Sequence, residues 1–317
     1  MRLILASIVA LSAVAGLQAQ AVKVDDKLPQ YRKVAGVTGN LNSVGSDSLN
    51  NLMSLWVEEF RKEYPNVRIQ VEGKGSGTAP PALIEGTAQL GPMSRAMKSE
   101  EIDEFEKKFG YKPTQISVAI DTLAVFVHKD NPIRQLSLQQ LDGIFSKTFR
   151  SGNSDLRTWD QVGLQGAYQG RPISIYGRNS ASGTYGYFKE TALFRGDYKD
   201  TVKEQPGSSS VVQSISGDRF AIGYSGIGYS TSGVRAVPIA ATANGRAYEA
   251  NYENALSENY PLARYLYIYI NKPKDGLSPI VREFIKFILS KKGQEIVVKD
   301  GYLPLTAKMS EDEHKKL

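Results

Sequence analysis

The sequence predicts an α/β fold that forms two lobes around two long buried strands. Segments with strand patterns alternate with segments of helical spacing along the 317 residues. Two long apolar runs, near residues 118–127 and 220–229, are typical of strands that are buried on both faces. If both runs carry the chain between lobes, the first and last thirds of the chain form one lobe and the middle third forms the other.

The amino-terminal residues "MRLILASIVALSAVAGLQAQA" predict a secretory signal peptide over residues 1–21. Arg2 precedes an apolar run that reaches about Leu17, and the small residues Ala19 and Ala21 follow as alternative cleavage positions. The alternative is a membrane anchor, which needs a longer run of ~20 apolar residues. We therefore expect a soluble, exported mature protein.

The first third of the chain shows a regular order of elements. A short strand and a Gly/Ser loop precede a helix that begins near Leu49, with apolar residues at helical spacing, and Pro65 ends that helix. There follow the alternating strand "VRIQVEG", a helix after "GSGT", the short run "AQLGPMS" and a charged helix over residues 99–109.

The remaining two thirds continue the alternation. Their predicted elements are the buried strand "ISVAIDTLAVFVH", a short helix "LSLQQLDGIFS", the strand "RPISIYGR", a helix after "SASGT", the helix–turn–strand segment "SSVVQSISGDRFAIGYSGIGYS", the strands "VRAVPIA" and "RYLYIYIN", and a final helix "SPIVREFIKFILSKKGQEIVVKDG". The sequence has no repeat period and no low-complexity linker.

Composition excludes several classes of site. Cysteine is absent, so disulfides, thiolate metal sites and cysteine nucleophiles are excluded, and the two histidines, His128 and His314, supply a Ser-His-Asp triad or a metal site poorly. The net charge of +6 is scattered and interleaved with acidic residues, so we expect no nucleic-acid binding. Nucleotide-binding GxxxxGK[ST], dinucleotide-binding GxGxxG and hydrolase GxSxG motifs are all missing.

Three turns of small residues each open a predicted helix. They are "VGSDS" with Ser46 and Ser48, "GSGT" with Ser76, and "SASGT" with Ser182 and Thr184. A helix start presents unpaired N–H groups and partial positive charge, and hydroxyls add further donors, so such a turn can bind an oxyanion. Each turn alone is more often a plain helix cap. One shared oxyanion site would explain all three.

An arginine precedes the third turn. Arg178 lies four residues before Ser182, and its guanidinium fork matches a tetrahedral oxyanion. The alternative role for Arg178 is a surface or inter-lobe ion pair. These residues supply donors for binding and little for proton transfer, so the sequence favours a binding protein over an enzyme.

Nearly the whole mature chain resembles the periplasmic phosphate-binding proteins of Pst-type ABC transporters. The similar segments, in order, are "VGSDSLNNLMSLWVEEF", "VEGKGSGTAPPALIEGTAQLG", "SVAIDTLAVFVHKDNP", "YGRNSASGTYGYF", "FAIGYSGIGY", "YPLARYLYIYI" and "FIKFILSKKGQEIVVKDGYLPL". The resemblance implies a two-lobed periplasmic binding protein of type 2, with two crossover strands and phosphate held between the lobes. We place the first lobe at residues 22–120 and 231–317 and the second lobe at residues 121–230.

The resemblance also implies a set of phosphate ligands. By motif position they are Arg178, Ser182, Gly183 and Thr184 in the middle third, Ser76, Gly77 and Thr78 in the second turn, and one of Ser46, Asp47 and Ser48 in the first turn. Ser94 and Arg95 are expected ligands as well; known members carry an aspartate at this position, so the resemblance leaves selectivity against sulfate open. We hypothesise that Asp47 supplies the missing acceptor, with helix capping as its alternative role.

The function expected from the resemblance is capture of inorganic phosphate in the periplasm by a monomer that needs no cofactor or metal. The bound phosphate would pass to an inner-membrane ABC permease and its ATPase. One alternative is the same fold holding another oxyanion such as sulfate. An alternative of another class is a secreted phosphoesterase that uses Ser76 or Ser182 as nucleophile, although the sequence offers no evident base for it.

Overall fold

The computed structural model describes residues 22–317. The predicted signal peptide at residues 1–21 lies outside the described residues. Within the described range, no helix is long and apolar enough to cross a membrane.

Twelve strands and ten helices alternate along the described chain. The strands are β1 Gly39–Gly45, β2 Val67–Gly73, β3 Gly91–Met93, β4 Thr114–His128, β5 Leu136–Ser137, β6 Ser174–Arg178, β7 Lys203–Gln205, β8 Ala221–Gly226, β9 Val234–Ala236, β10 Ile239–Ala240, β11 Ala247–Tyr248 and β12 Ala263–Ile270. The helices are α1 Asn50–Glu63, α2 Ala79–Glu85, α3 Ser99–Phe109, α4 Leu138–Phe145, α5 Gly183–Thr191, α6 Ser208–Ser216, α7 Tyr252–Leu256, α8 Pro279–Leu289, α9 Lys291–Lys299 and α10 Ala307–His314. Short 3₁₀ turns, Asp47–Leu49 and Ser76–Thr78, lead into α1 and α2.

The longest strand, β4, holds the main sheet together. The sheet has the order β3-β12-β4-β8-β6-β7, and β9 also pairs with β4. The first part of β4, up to Thr122, pairs antiparallel with β12, whereas the part from Leu123 onward pairs with β8. Strand β4 therefore changes its main partner between residues 122 and 123.

The same point separates two hydrophobic cores. The first core contains Ile116 and Val118 of β4 and packs against α1, α8 and α9, while the second contains Leu123 and Val125 of β4 and packs against α4 and α5. A smaller cluster around Phe126 covers the other face of β4 with α6. The described chain thus has two packed halves joined through β4.

The chain returns from the second core to the first at the start of β12. Val237, Ile239, Tyr260 and Leu262 contribute to the second core, Ala255 of α7 already packs on the first, and Leu266 and Ile268 also contribute to the first. Strand β8, which carries the second long apolar run, lies between β4 and β6 in the sheet. This central position buries β8 on both faces. A continuous apolar run therefore indicates a central strand and does not by itself indicate a strand that passes between the lobes.

Helix α1 confirms its sequence prediction. Leu52, Met53, Trp56 and Phe60 form its buried face, and the helix ends at Glu63, just before the residue preceding Pro65. The prediction of one long final helix was wrong, because the chain breaks at Ser290 into α8 and α9. The backbone of Ser290 is extended, and its hydroxyl accepts from the N–H of Gly293, which caps α9.

Candidate functional site

Four buried hydroxyls from distant parts of the chain meet between the two cores. We call Ser48, Ser76, Ser94 and Thr184 the hydroxyl cluster. The Thr184 Oγ1 lies 2.9 Å from the Ser48 Oγ and 3.5 Å from the Ser94 Oγ, and the Ser94 Oγ lies 3.3 Å from the Ser76 Oγ. Each of the four residues is at most 1% exposed. The cluster is therefore a dry group of hydrogen-bond donors and acceptors.

The helix start at α5 provides one side of the cluster. Ser182 is the N-cap of α5, and its Oγ accepts from the backbone N–H of Thr184 at 3.1 Å and of Tyr185 at 3.4 Å. Gly183 packs so closely on the opposite turn that a Cβ there would lie 2.2 Å from the Ser76 Oγ. A glycine is therefore required at position 183 for the two helix starts to meet.

The turn before α2 provides the facing side. The N–H of Gly77 donates to the carbonyl oxygen of Ala181 at 3.0 Å, which joins the two turns directly. The Ser76 Oγ accepts from the N–H of Ser94 at 3.0 Å. The hydroxyl of Thr78 donates to the carbonyl of Gly75 at 2.8 Å, so Thr78 stabilises its own turn.

The first-turn residues lie beside the cluster in different roles. Ser48 belongs to the cluster, and the hydroxyl of Tyr302 donates to its carbonyl at 2.7 Å. Ser46 is buried, and its N–H donates to the carbonyl of Pro92 at 2.8 Å, which ties the first turn to β3. Asp47 points toward the second core instead.

Asp47 forms an ion pair with Arg178 across the gap between the cores. The Arg178 Nη1 lies 3.1 Å from the Asp47 Oδ2, and the same oxygen accepts from the N–H of Ser208 at 2.8 Å. Ser208 is the first residue of α6, so Asp47 satisfies an N–H at the start of a helix in the other half of the molecule. The predicted capping role of Asp47 thus applies to α6 and not to α1.

Arg178 is almost fully buried where β6 ends. Its Nη1 donates to the Ser208 Oγ at 2.8 Å and its Nη2 to the carbonyl of Pro206 at 3.2 Å. The buried Nε has no hydrogen-bond partner among the described residues. Burial lowers the pKa of Arg178, and the charge of Asp47 opposes that shift. The ion pair between the two halves, which was the alternative role for Arg178, is therefore present in the structure.

A second arginine, Arg264, contacts the cluster directly. Its Nη2 lies 3.0 Å from the Thr184 Oγ1, and its Nη1 donates to the carbonyl of Ser94 at 2.8 Å. Its Nε and Nη2 both bind the Asp121 Oδ2, at 3.0 and 2.7 Å. Neither Arg264 nor Asp121 belongs to one of the three turn motifs, although a lone aspartate inside the apolar run of β4 is a usable signal, because a buried charge needs a partner.

The structure does not bring Arg95 into the cluster. Its guanidinium binds both carboxylate oxygens of Glu101, at 2.7 and 2.6 Å, in the first turn of α3. The side chain lies beside α5, near Gly186. Because this bidentate pair already occupies the fork, the expectation that Arg95 binds the ligand does not fit its position.

Neither histidine of the described chain hydrogen-bonds to a hydroxyl of the cluster. His128 lies at the end of β4, where its Nδ1 accepts from the N–H of Asp130 at 3.2 Å. Within residues 22–317, no group of three or more His, Cys, Asp or Glu side chains is placed to hold a metal ion. Burial raises the pKa of Tyr224 to about 12, and burial together with the charge of Asp47 raises the pKa of Tyr229.

The sequence is similar to known phosphate-binding proteins over nearly its full length. Residues 32–292 match the family profile described as the PBP superfamily domain. The phosphate-binding protein PstS of Pseudomonas aeruginosa is 53% identical over 316 residues, covering 99% of this chain and 98% of that protein. The PstS of Staphylococcus haemolyticus is 28% identical over 284 residues, covering 88% of this chain and 85% of that protein.

A solved structure with similar architecture contains phosphate. It is a substrate-binding protein assigned to a phosphate ABC transporter from Clostridium perfringens, crystallised with bound phosphate. Its TM-score is 0.71 at 26% identity, and the superposition covers 84% of this chain and 100% of that one.

Proposed function

Since the chain belongs to the PstS family of phosphate-binding proteins within the PBP superfamily, we propose that it captures inorganic phosphate between two lobes and delivers it to an ABC permease. The predicted family resemblance and the predicted fold class are thereby confirmed. The relatives are named as binding and transport proteins, which agrees with the expectation that the chain is not an enzyme.

The hydroxyl cluster is the observation that carries the proposal. It places four buried hydroxyls at the junction of two helix starts that approach from opposite halves of the molecule. Helix starts attract anions through their free N–H groups and dipoles, and hydroxyl donors in a dry site bind a charged oxygen strongly. A small tetrahedral oxyanion matches a compact site of this kind.

The predicted ligand residues separate into two groups in the proposed site. Direct contact with phosphate is assigned to Ser48, Ser76, Ser94, Gly183 and Thr184, with Arg178 approaching from the second lobe and Asp47 as the acceptor of the phosphate proton. Gly77 instead joins two of the turns, because its N–H donates to the carbonyl of Ala181. Ser46, Thr78 and Ser182 hold the three turns in shape through the bonds described above. Arg95 supports α3 through Glu101 and is left out of the contact set.

Closure of two lobes is the proposed mechanism. We assign residues 22–122 and 263–317 to the first lobe and residues 123–262 to the second, because β4 changes partner after Thr122 and because Tyr260 and Leu262 still pack on the second core, although Ala255 contacts the first. This assignment moves the first boundary from 120 to 122 and the second from 230 to 262. Bonds across the cleft, from Gly77 to Ala181 and from Arg178 to Asp47, would stabilise the closed arrangement. The two crossings, in β4 and before β12, then form the hinge.

The remaining parts of the proposal concern place and partners. A signal peptide over residues 1–21 would export the protein to the periplasm, where it acts as a monomer. The phosphate-loaded form would present both lobes to an inner-membrane permease that is driven by its ATPase. The fold of a substrate-binding protein from a phosphate ABC transporter supports this assignment.

Titration calorimetry with phosphate, arsenate and sulfate tests the proposal. We expect saturable binding of one phosphate per chain, weaker binding of sulfate, and no turnover of a chromogenic phosphate ester. Failure to bind phosphate would overturn the proposal. Tighter binding of sulfate would support the alternative oxyanion, and ester turnover would support the phosphoesterase.

A further inference from the structure

We propose that Arg264 is a direct ligand of the bound oxyanion and that Asp121 is the positioning residue that fixes its guanidinium. The inference rests on the proposed function, since it concerns the same site. It gives the site a second cation beside Arg178, in place of the predicted Arg95, whose guanidinium is paired with Glu101.

The contacts of Arg264 place its guanidinium among the groups that would hold the ligand. Nη2 reaches the hydroxyl of Thr184, which lies at the centre of the hydroxyl cluster, and Nη1 reaches the carbonyl of Ser94. Together with the two bonds to Asp121, these contacts occupy four of the five N–H donors that a guanidinium carries. One N–H on Nη1 is left to donate to an oxyanion at the cluster.

The position of the pair in the sheet makes the guanidinium rigid. Arg264 and Asp121 are register partners on the antiparallel strands β12 and β4. Asp121 is fully buried, and its Oδ1 accepts from the N–H of Ile227 at 3.2 Å while its Oδ2 binds Arg264. A cation held in this way loses little side-chain entropy when it meets its ligand.

The surroundings of Arg264 also strengthen its electrostatic attraction for an anion. Its guanidinium carbon lies 5.2 Å from the centre of the Tyr187 ring, and the hydroxyl of Tyr187 donates to the carbonyl of Ala263 at 2.7 Å. The ring of this α5 residue therefore covers one face of the guanidinium. Exclusion of water lowers the local dielectric and increases the attraction between a cation and an anion.

A different arginine shows what a purely structural guanidinium looks like in this fold. Arg235 donates from Nε and Nη2 to the carbonyl of Asn131 at 2.8 and 2.5 Å, and Nη2 also reaches the carbonyl of Ile133. It has no contact with the hydroxyl cluster. Arg264 instead divides its bonds between a carboxylate and the cluster, which fits a ligand-binding role.

The test compares phosphate binding and melting temperature in four variants. Arg264→Gln combined with Asp121→Asn removes both charges together, so no uncompensated ion stays buried. Asp121→Asn keeps the cation, Arg264→Lys keeps the charge without the fork, and Arg235→Gln is the matched control. Calorimetry with inorganic phosphate gives the dissociation constants.

We expect the neutral double variant to bind phosphate at least about 30-fold more weakly than the wild type, and Arg264→Lys about tenfold more weakly. Asp121→Asn should lose less affinity than the double variant, and Arg235→Gln should bind as the wild type does. Melting without phosphate shows whether each variant is folded, and a structural role alone would lower that temperature without changing affinity.

A folded double variant that binds phosphate within twofold of the wild type would overturn the inference. Should the double variant not fold, Arg264→Lys decides, because unchanged affinity there also overturns it. If the wild-type protein itself does not bind phosphate, the proposed function fails, which is a different result from wild-type binding with unaffected variants.

Discussion

The two arginine–carboxylate pairs of the site differ in what they connect. Arg178 and Asp47 come from opposite halves of the molecule and meet across the gap between them. Arg264 and Asp121 lie opposite each other on adjacent strands where the chain passes between the halves. The side chain of Asp47 is 24% exposed, whereas that of Asp121 is fully buried.

This difference separates a contact that closure makes from one that exists throughout. Opening of the lobes would separate Asp47 from Arg178, and both groups could regain water. The Arg264–Asp121 pair is fixed by strand register, so opening would leave it intact. We infer that the first pair contributes to the balance between open and closed forms and that the second contributes to the stability of the hinge.

The largest expected effect is on folding stability. Asp121→Asn leaves the charge of Arg264 buried without its partner, which typically costs ~3–5 kcal/mol. Asp47→Asn should cost no more than about 1 kcal/mol, because the carboxylate is partly exposed and the buried Arg178 would regain water when the lobes open without phosphate. Urea unfolding of both variants without phosphate measures the free energies of unfolding. Equal losses in the two variants would contradict the distinction drawn between the pairs.

The next effect concerns phosphate affinity at Arg178. Arg178→Ala should leave the fold intact and weaken phosphate binding by ~2–5 kcal/mol, because a buried charged contact is lost from the second lobe. Calorimetry measures the change, with Arg235→Ala as control because Arg235 lies away from the cluster. Binding within twofold of the wild type would place Arg178 outside the site and leave it as an ion-pair partner of Asp47.

Smaller losses of phosphate affinity are expected from substitutions at the two helix starts. Ser76→Ala removes a hydroxyl of the first lobe and Thr184→Ala one of the second, and each should weaken phosphate binding by ~1–3 kcal/mol. Thr78→Ala serves as control, because its hydroxyl bonds to its own turn. Unchanged phosphate affinity in both cluster variants would reduce the two motifs to plain helix caps.

Local sequence motifs indicate one half of the proposed site. The turns at Ser76 and at Ser182–Thr184 carry short signatures, since glycine, serine and threonine are needed together to open a helix close to another backbone. Arg178 was predicted in the same way, from its spacing to Ser182. These residues depend on neighbours within a few positions, which a single sequence displays.

The other half depends on contacts between distant segments. Arg264 and Asp121 are 143 residues apart, and their pairing follows from the register of β12 on β4, which no local pattern specifies. Arg95 shows the converse case, since motif position suggests a ligand whereas Glu101, six residues later, binds its guanidinium in the structure. The break at Ser290 was hidden because helical spacing continues on both sides of it.

The smallest expected effect concerns the selectivity for phosphate over sulfate. The carboxylates of Asp47 and Asp121 differ in whether an oxygen is left to accept a proton from the ligand. At neutral pH phosphate carries a proton that sulfate lacks, so an acceptor in the site favours phosphate. Both oxygens of Asp121 already accept hydrogen bonds. Both bonds of Asp47 fall on Oδ2, so Oδ1 is free of hydrogen bonds within the described part of the chain.

We therefore predict that Asp47 accepts the phosphate proton and that Asp47→Asn narrows the ratio of phosphate to sulfate affinity by about threefold to tenfold. Asparagine keeps the size of the side chain and can still accept from the N–H of Ser208. Any effect of the substitution on lobe closure should therefore change the phosphate and sulfate affinities by the same factor. The ratio, measured by calorimetry with each anion, isolates the acceptor from closure. An unchanged ratio would transfer the role of acceptor to Ser94, whose neutral hydroxyl repels sulfate far less than a carboxylate does.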